Sequence, residues 1–187
     1  MRWRAGSAWG CAPAASSRSS VIHPSAFIAP GAMVLGDVSL GRDASVWYNT
    51  VVRGDLAPIS IGDETNIQDL SMVHVDEEVP CIVGSRVGVG HRAILHGCTV
   101  EDECLVGMGA ILLNHVRVGT GSVIGAGAVL REGTEVPPGS LVVGVPARVV
   151  RPVDPVLRER IRTTWEHYVE QARSHRAGSV RRHTGTA

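Results

Sequence analysis

A six-residue period runs through most of the chain and limits what the chain can fold into. Helices repeat about every 3.6 residues and flat strands about every two, so neither explains this spacing. A period of six is typical of hexapeptide repeats, which fold as a parallel β-helix. With short insertions and a one-residue slip between blocks, the aliphatic positions are Ile22, Ile28, Val34, Leu40, Val46, Val52, Ile61, Ile67, Val73, Val83, Val89, Leu95, Val100, Val106, Leu112, Val118, Ile124, Leu130, Val136 and Val142.

Each repeat predicts one short strand and one turn. The aliphatic residue fills the core, and the small or β-branched residue that usually follows four positions later fits the corner. Three repeats complete a triangular coil, and successive coils stack about 4.8 Å apart like strands in a sheet. The 22 Gly and 10 Pro suit a fold with many turns. We therefore predict an all-β fold, with a β-helix over residues 21–152.

The segment after the repeats predicts one α-helix over residues 153–173. Asp154 can cap this helix, and Pro155 suits its first position. An apolar stripe for docking on a β-helix face, or on a neighbouring subunit, follows at helical spacing: Leu157, Ile161, Trp165, Tyr168, Val169 and Ala172. Residues 174–187 are predicted to form a disordered tail. Residues 1–20 are predicted to be a disordered extension or a misplaced start, with an organellar transit segment as the alternative.

Charge and cysteine content narrow the function classes. Eighteen basic and eighteen acidic residues cancel, which favours neither nucleic acid nor an anionic membrane surface as a partner. No continuous apolar stretch indicates a membrane span, and we predict a cytoplasmic protein. No Cys-x-x-Cys spacing is present. All four cysteines are expected to be reduced and non-catalytic, with Cys98 and Cys104 in the core, Cys81 in a loop and Cys11 in the extension.

Two histidines occupy equivalent positions on the repeat. His74 follows Val73 by one residue and His96 follows Leu95 by one, with two repeats between them. They should therefore lie on the same face, one coil apart. Arg53 belongs to the same column one coil earlier.

A third histidine lies on the adjacent face. His91 comes two residues after its core aliphatic, and Asp69 is its expected neighbour one coil earlier. Stacked imidazoles can share a metal ion, but His91 would need a symmetric oligomer to reach the same ion. Three imidazoles leave a fourth position for water, as in catalytic zinc sites. The other five histidines are expected to be solvated: His23, His115, His167, His175 and His183.

Five motifs around these positions carry a resemblance to a known family: Val52-Arg-Gly-Asp55, Thr65-Asn-Ile-Gln68-Asp69, Met72-Val-His74, Gly90-His91 and Leu95-His96-Gly97. In order and spacing they resemble the γ-class carbonic anhydrases, over roughly residues 21–173. The resemblance implies a left-handed β-helix and a homotrimer with metal sites between subunits. It also implies reversible hydration of CO2 to bicarbonate and a proton, by hydroxide generated at a metal ion.

The resemblance further implies a role for each site residue. His74 and His96 of one subunit and His91 of its neighbour would bind Zn²⁺, with Fe²⁺ as the alternative because three imidazoles suit both. Arg53 and Asp55 would form an ion pair at the subunit interface. Asn66 would line the site, and Gln68 would orient the hydroxide. Asp69 and Arg53 together would set the local field, and Tyr168 would reach the site from the C-terminal helix.

One departure concerns proton removal. Efficient members of that family carry a shuttle Glu directly after the Arg-Gly-Asp-like motif, where this chain has Leu56. The acidic loop after the first histidine is also shorter here. Glu77 and Glu78 in that loop are the candidate shuttles, with solvated loop charges as the alternative.

Two other functions remain open from the sequence. Hexapeptide acyltransferases share the coil and the closing element over residues 144–151, and they use one histidine as a general base. The clustered histidines, with Arg53 and Gln68, argue against that class. The second alternative is a non-catalytic, metal-binding trimeric scaffold.

Overall fold

The computed structural model describes residues 20–180, which form a parallel β-helix followed by one α-helix. This confirms the predicted fold class. Most strands have two or three residues because each repeat supplies a short straight segment and then a corner. The elements are β1 (Phe27–Ile28), β2 (Met33–Leu40), β3 (Ser45–Val46), β4 (Val51–Ile61), β5 (Asn66–Ile67), β6 (Met72–His74), β7 (Cys81–Val83), β8 (Gly88–Val89), β9 (Ile94–His96), β10 (Thr99–Val100), β11 (Leu105–Val106), β12 (Ile111–Leu112), β13 (Arg117–Val118), β14 (Val123–Ile124), β15 (Val129–Leu130), β16 (Glu135–Val136), β17 (Ser140–Gly144), β18 (Ala147–Pro152) and α1 (Pro155–Arg176).

The strands stack into three faces. The helix face contains β1, β3, β5, β8, β11, β14 and β17, and β18 closes it with an antiparallel pairing. The histidine face contains β6, β9, β12 and β15, and the third face contains β7, β10, β13 and β16. The long strand β4 turns the corner between the last two, because its residues Val51–Arg53 pair with β6 and its residues Ile59–Ile61 pair with β7.

The repeat aliphatics form the core along the coil axis. Every predicted core position from Leu40 to Val142 is buried. The prediction was wrong for Ile22 and Ile28, which are 37% and 40% exposed, and Val34 is only partly buried. The reason is their place in the first coil: within residues 20–180 that coil has a neighbouring coil on one side only.

Helix α1 packs on the helix face and returns toward the first coil. The Asp154 carboxylate accepts a hydrogen bond of 2.9 Å from the backbone N–H of Leu157, and this caps the first turn. Ile161, Val169 and Ala172 of the predicted stripe are buried. Across residues 20–180, no helix has the length and apolarity needed to cross a membrane.

The helix bounds differ from the predicted 153–173. The helix begins at Pro155, because Asp154 is its cap, and it continues to Arg176 through residues predicted to be disordered. The last turn is held by contacts distant in sequence: the Arg176 guanidinium donates to the carbonyls of Ser25 and Ala26, each at 2.6 Å. The rest of the predicted tail from residue 181, and the predicted extension before Ser20, lie outside the described residues.

Cys81, Cys98 and Cys104 are buried and free of disulfides. Cys81 was predicted to lie in a loop. That placement was wrong, because Cys81 begins β7 with its side chain in the core. Its Sγ lies 3.9 Å from that of Cys98 on the next coil. Burial raises the pKa of Cys104 to about 12, so its thiol is not a nucleophile at neutral pH. Cys11 lies outside the described residues.

Candidate metal centre

His74 and His96 are direct neighbours on the histidine face. The register of β6 and β9 pairs them, and that of β4 and β6 pairs Arg53 with His74, which confirms the predicted column. The two rings meet edge to face, with centroids 5.1 Å apart. Nδ1 of His74 lies 3.1 Å from Nε2 of His96. Each imidazole therefore presents one ring nitrogen to the other.

The second ring nitrogen of His74 contacts a carboxylate. Its Nε2 lies 3.1 Å from Oδ1 of Asp55, which also forms a close ion pair with Arg53. Burial alone would raise the pKa of Asp55, but hydrogen bonds from Arg53 and His74 outweigh it and lower that pKa. An ionised carboxylate only accepts hydrogen bonds. In a neutral His74 the hydrogen therefore sits on Nε2, and Nδ1 carries a lone pair.

The second ring nitrogen of His96 contacts an amide. Its Nδ1 lies 2.7 Å from Oδ1 of Asn114, whose Nδ2 donates to Oδ2 of Asp76 at 3.2 Å. The backbone N–H of Glu77 and then the Asn114 amide lower the pKa of Asp76. Because this carboxylate only accepts, the Asn114 nitrogen must face Asp76 and its oxygen must face His96. The hydrogen of a neutral His96 is thereby placed on Nδ1, which leaves a lone pair on Nε2.

The two inner nitrogens therefore have a spacing that suits two ligands of one metal ion. Two lone pairs only 3.1 Å apart repel each other unless a cation lies between them. A tetrahedral ion with metal–nitrogen bonds of 2.0–2.1 Å would separate two ligands by about 3.3 Å. Metal-binding histidines almost always donate their other N–H to a carboxylate or carbonyl oxygen, as both do here. The donor set thus fits zinc or ferrous iron.

His91 lies apart from this pair, at the corner after β8. Its Nδ1 is 2.9 Å from Oδ2 of Asp69, which confirms the predicted neighbour. Its Nε2 is 3.3 Å from the Tyr168 hydroxyl on α1, and its side chain is 43% exposed. Throughout residues 20–180, no three side chains of the metal-binding types converge on one point. A single chain therefore brings together two of the three predicted ligands.

Three other predicted site residues lie on the helix face or on α1: Asn66 in β5, Gln68 directly after β5, and Tyr168 on α1. Gln68 and Asn66 are buried, and Nε2 of Gln68 donates to Oδ1 of Asn66 at 3.0 Å. Tyr168 packs edge-on against Trp47. Burial, and then the charge of Asp69, raise the pKa of Tyr168, so its hydroxyl keeps its proton at neutral pH.

The predicted site residues thus fall into two groups. The pair side consists of Arg53, Asp55, His74 and His96. The corner side consists of Asn66, Gln68, Asp69, His91 and Tyr168. Within one chain, Arg53 and Asp55 pair with each other. Leu56 is 54% exposed beside them, and the candidate shuttles Glu77 and Glu78 are exposed in the loop after β6.

Comparisons with known proteins identify the family of the chain. The profile of the bacterial transferase hexapeptide family (six repeats) matches residues 19–54 and 97–132. The carbonic anhydrase of Geobacillus kaustophilus is 43% identical over 157 residues, which cover 83% of this chain and 86% of that protein. The chain belongs to the γ-class carbonic anhydrase family.

Two further relatives show how far the likeness extends. Gamma carbonic anhydrase 1, mitochondrial, of Arabidopsis thaliana is 41% identical over 170 residues, or 88% of this chain. This chain spans only 62% of that plant protein's length. A Bacillus cereus crystal structure, provisionally described as an acetyltransferase, superposes with a TM-score of 0.83 at 39% identity. That superposition covers 84% of this chain and 92% of the other.

The γ-class resemblance did not point to Asn114, which contacts His96 of the pair side, or to Asp76, which contacts Asn114. A signal for Asn114 exists in the repeat, since it follows Leu112 by two residues just as Gly97 follows Leu95. The same column arithmetic places it one coil from Gly97, beside His96. Asp76 lies in the insertion after β6. The six-residue spacing is interrupted there, so it does not predict where Asp76 lies on the coil.

Proposed function

We propose that the protein is a metal-dependent γ-class carbonic anhydrase that hydrates CO2 reversibly to bicarbonate and a proton. The observation that supports this most directly is that Nδ1 of His74 and Nε2 of His96 lie 3.1 Å apart while the other nitrogen of each ring bonds to an oxygen. When bound, a zinc or ferrous ion lowers the pKa of a water molecule from 15.7 toward about 7, which supplies hydroxide at neutral pH.

The corner side offers groups that suit this reaction. Nε2 of Gln68 is engaged by Asn66, so its Oε1 is the end that can accept a hydrogen from the reacting water. The Tyr168 hydroxyl keeps its proton and can donate a hydrogen bond toward oxygen. Tyr168 contacts His91, and Gln68 follows β5, which pairs with the strand before His91. This function therefore requires that a corner side meets a pair side.

We propose that a homotrimer brings these two sides together. Beside the column of Arg53, His74 and His96, a second outward column on the histidine face is entirely apolar. Its members are in register from coil to coil and are exposed or half-buried: Met33, Val51, Met72, Ile94, Ile111 and Val129. An apolar stripe of this length favours burial against another copy. In a cyclic trimer, each pair side would face the corner side of the next subunit.

Proton removal is the step for which this chain is least equipped. Leu56 has no titratable group, and Glu77 and Glu78 lie in an exposed loop. We therefore propose that the proton leaves through water to external buffer, or through these two loop carboxylates. This makes proton removal, rather than attack on CO2, the slow step at low buffer concentration.

CO2 hydration by stopped flow on anaerobically purified, metal-quantified protein tests the proposal. The unaltered chain should contain one metal ion per chain and show activity. His74→Ala should lose both metal and activity. The matched control is His23→Ala, which removes an exposed histidine whose ring, within residues 20–180, bonds only to Ser25. It should change neither property.

Two results would favour the other functions. Stoichiometric metal without measurable CO2 hydration would favour the trimeric scaffold. Binding of acetyl-CoA by metal-free protein would favour an acyltransferase, as the description of the Bacillus cereus structure suggests for that protein. Against that second function, the inner nitrogens of the two imidazoles face each other, whereas a general base must present its free nitrogen to substrate.

A further inference from the structure

We infer that Asn114 and Asp76 are positioning residues that keep His96 ready for metal. They hold the imidazole in one tautomer and orientation from outside the ligand set. The inference rests on the proposed function, because it takes His96 to be a metal ligand. It goes further by assigning a role to two residues that act through that ligand rather than on the metal or on substrate.

The two residues come from the coils on either side of the His96 coil. Asn114 lies in the turn after β12, one coil beyond His96, while Asp76 lies in the loop after β6, one coil before it. The backbone N–H of Glu77 donates to Oδ1 of Asp76 at 2.9 Å and steadies its carboxylate. The hydrogen-bond chain from Asp76 through Asn114 to His96 thus links three successive coils.

Gly97 makes room for this chain. Its φ is +52°, in the left-handed region, where glycine is free of the strain that a side chain causes. A Cβ at this position would lie 2.5 Å from Oδ1 of Asn114 and 2.7 Å from Cγ1 of Val79. Any larger residue would therefore push Asn114 away from the His96 ring.

The tautomer matters because the pair has a competing arrangement. If the hydrogen of His96 moved to Nε2, that nitrogen would donate to Nδ1 of His74 across the same 3.1 Å. The resulting bond would occupy both lone-pair positions and close the site to metal. The Asn114 oxygen prevents this by drawing the hydrogen to Nδ1 of His96, and Asp55 does the same for Nε2 of His74.

Asp76 is needed because an amide, unlike a carboxylate, has two chemically different ends. Without a partner, Asn114 could turn its nitrogen toward His96 and stabilise the wrong tautomer. A carboxylate at 3.2 Å accepts only from the amide nitrogen and so fixes which end faces the imidazole. Asp55 alone fixes the tautomer of His74, whereas fixing the tautomer of His96 requires both Asn114 and Asp76.

Zinc affinity, measured on the full chain by competition with a chromophoric chelator, tests the inference. Asn114→Leu keeps the size of the side chain and removes the acceptor, and its affinity should fall about 10–100-fold, as is typical when an outer partner of a metal ligand is lost. The exchanged pair Asp76→Asn/Asn114→Asp keeps both the acceptor and the link between the two residues. It should bind zinc nearly as tightly as the unaltered chain.

Asp76→Asn alone should also weaken binding, because the amide at 114 is then free to turn. Its matched control is Glu101→Gln, which neutralises another turn carboxylate, one bonded to Thr120. That variant should leave zinc affinity unchanged.

Nitrogen-15 NMR of the metal-free chain gives a second readout. In the unaltered protein the hydrogen of His96 should sit on Nδ1, and in Asn114→Leu it should move toward Nε2. Unchanged zinc affinity in Asn114→Leu, or a loss of affinity with the tautomer unchanged, would overturn the inference. Should Asn114→Leu fail to fold, Asp76→Asn and the exchanged pair decide by the same two measurements. If His96→Ala binds zinc as tightly as the unaltered chain, the proposed function itself fails.

Discussion

The Asp69 carboxylate holds the His91 ring at a corner of the coil, with Oδ2 and Nδ1 2.9 Å apart. This contact directs the imidazole along the corner and not along the histidine face, where the other two predicted ligands stack. In the proposed function, the third ligand of a site built on His74 and His96 therefore comes from a different copy of the chain.

Mixed trimers provide a direct test of that division. Neither His91→Ala nor His74→Ala should bind metal as a homotrimer. A site is intact where a His91→Ala chain supplies His74 and His96 and a His74→Ala chain supplies His91. In a random equal mixture this holds at about a quarter of the interfaces of a cyclic trimer. Metal analysis of the re-purified mixture should recover about that fraction.

A mixture of His74→Ala and His96→Ala chains is the control. Both defects lie on the pair side, so no combination of subunits restores a site. Recovery of metal in this control mixture, or a metal-replete monomer in sedimentation, would contradict a site shared between subunits.

Buffer dependence should reveal the missing shuttle at Leu56. General acid–base assistance typically contributes 10²–10⁴-fold, so its absence makes proton removal limiting while attack on CO2 stays intact. Raising the concentration of an imidazole-type buffer should increase kcat with little change in kcat/KM. The variant Leu56→Glu should weaken that dependence. Activity that is indifferent to buffer at every concentration would mean that another group already carries the proton.

The core of the stack should be sensitive to loss of volume. Leu112 is fully buried, and its backbone pairs with that of Leu95 beneath the histidines. Leu112→Ala should lower the free energy of unfolding by about 2–5 kcal/mol, from lost burial and the cavity left behind. Denaturant titration at fixed protein concentration measures the change. The control Val156→Ala, at a position 76% exposed on α1, should stay within about 0.5 kcal/mol.

Acid should loosen the end of α1 from the first coil. Burial tends to raise the pKa of Asp43, but hydrogen bonds to Ser25 and Arg173 outweigh it and lower that pKa below its unfolded value. The Asp43–Arg173 ion pair, 3.0 Å long, thus contributes stability above the unfolded pKa of about 3.9. That contribution should disappear as pH falls from about 5 through the folded-state pKa.

Thermal unfolding followed across pH measures this contribution. Asp43→Asn should be less stable than the unaltered chain at neutral pH, and the gap should narrow as pH falls. Arg173→Gln should reproduce the effect, and the double variant should add little to either single change. Equal gaps at neutral and acid pH would exclude this ion pair as the cause.

The six-residue repeat predicted which residues are neighbours on successive coils. Six-residue spacing places His74 over His96, and His91 beside Asp69, because each coil returns the chain to the same column. The repeat does not show where the stack of coils ends. Ile22 and Ile28 were therefore predicted to be core residues, although both are exposed.

Features outside the period could not be predicted in the same way. Asp76 lies in an insertion whose path depends on its own turn contacts. The last turn of α1 is held by carbonyls of Ser25 and Ala26, about 150 residues earlier in the chain. The local sequence does not predict a contact between residues so far apart.

The antiparallel strand β18 has a consequence for how copies of the molecule can associate. A stack of parallel strands offers an unpaired edge at its end, and such an edge can recruit further strands and grow into a fibre. Here β18 covers the last strand of the helix face, pairing Leu141 with Arg151 and Ser140 with Pro152. Arginine charge and a proline without an N–H are poor templates for another strand. Strand addition at the end of the helix face is thereby disfavoured, which limits the growth of a fibre through that face.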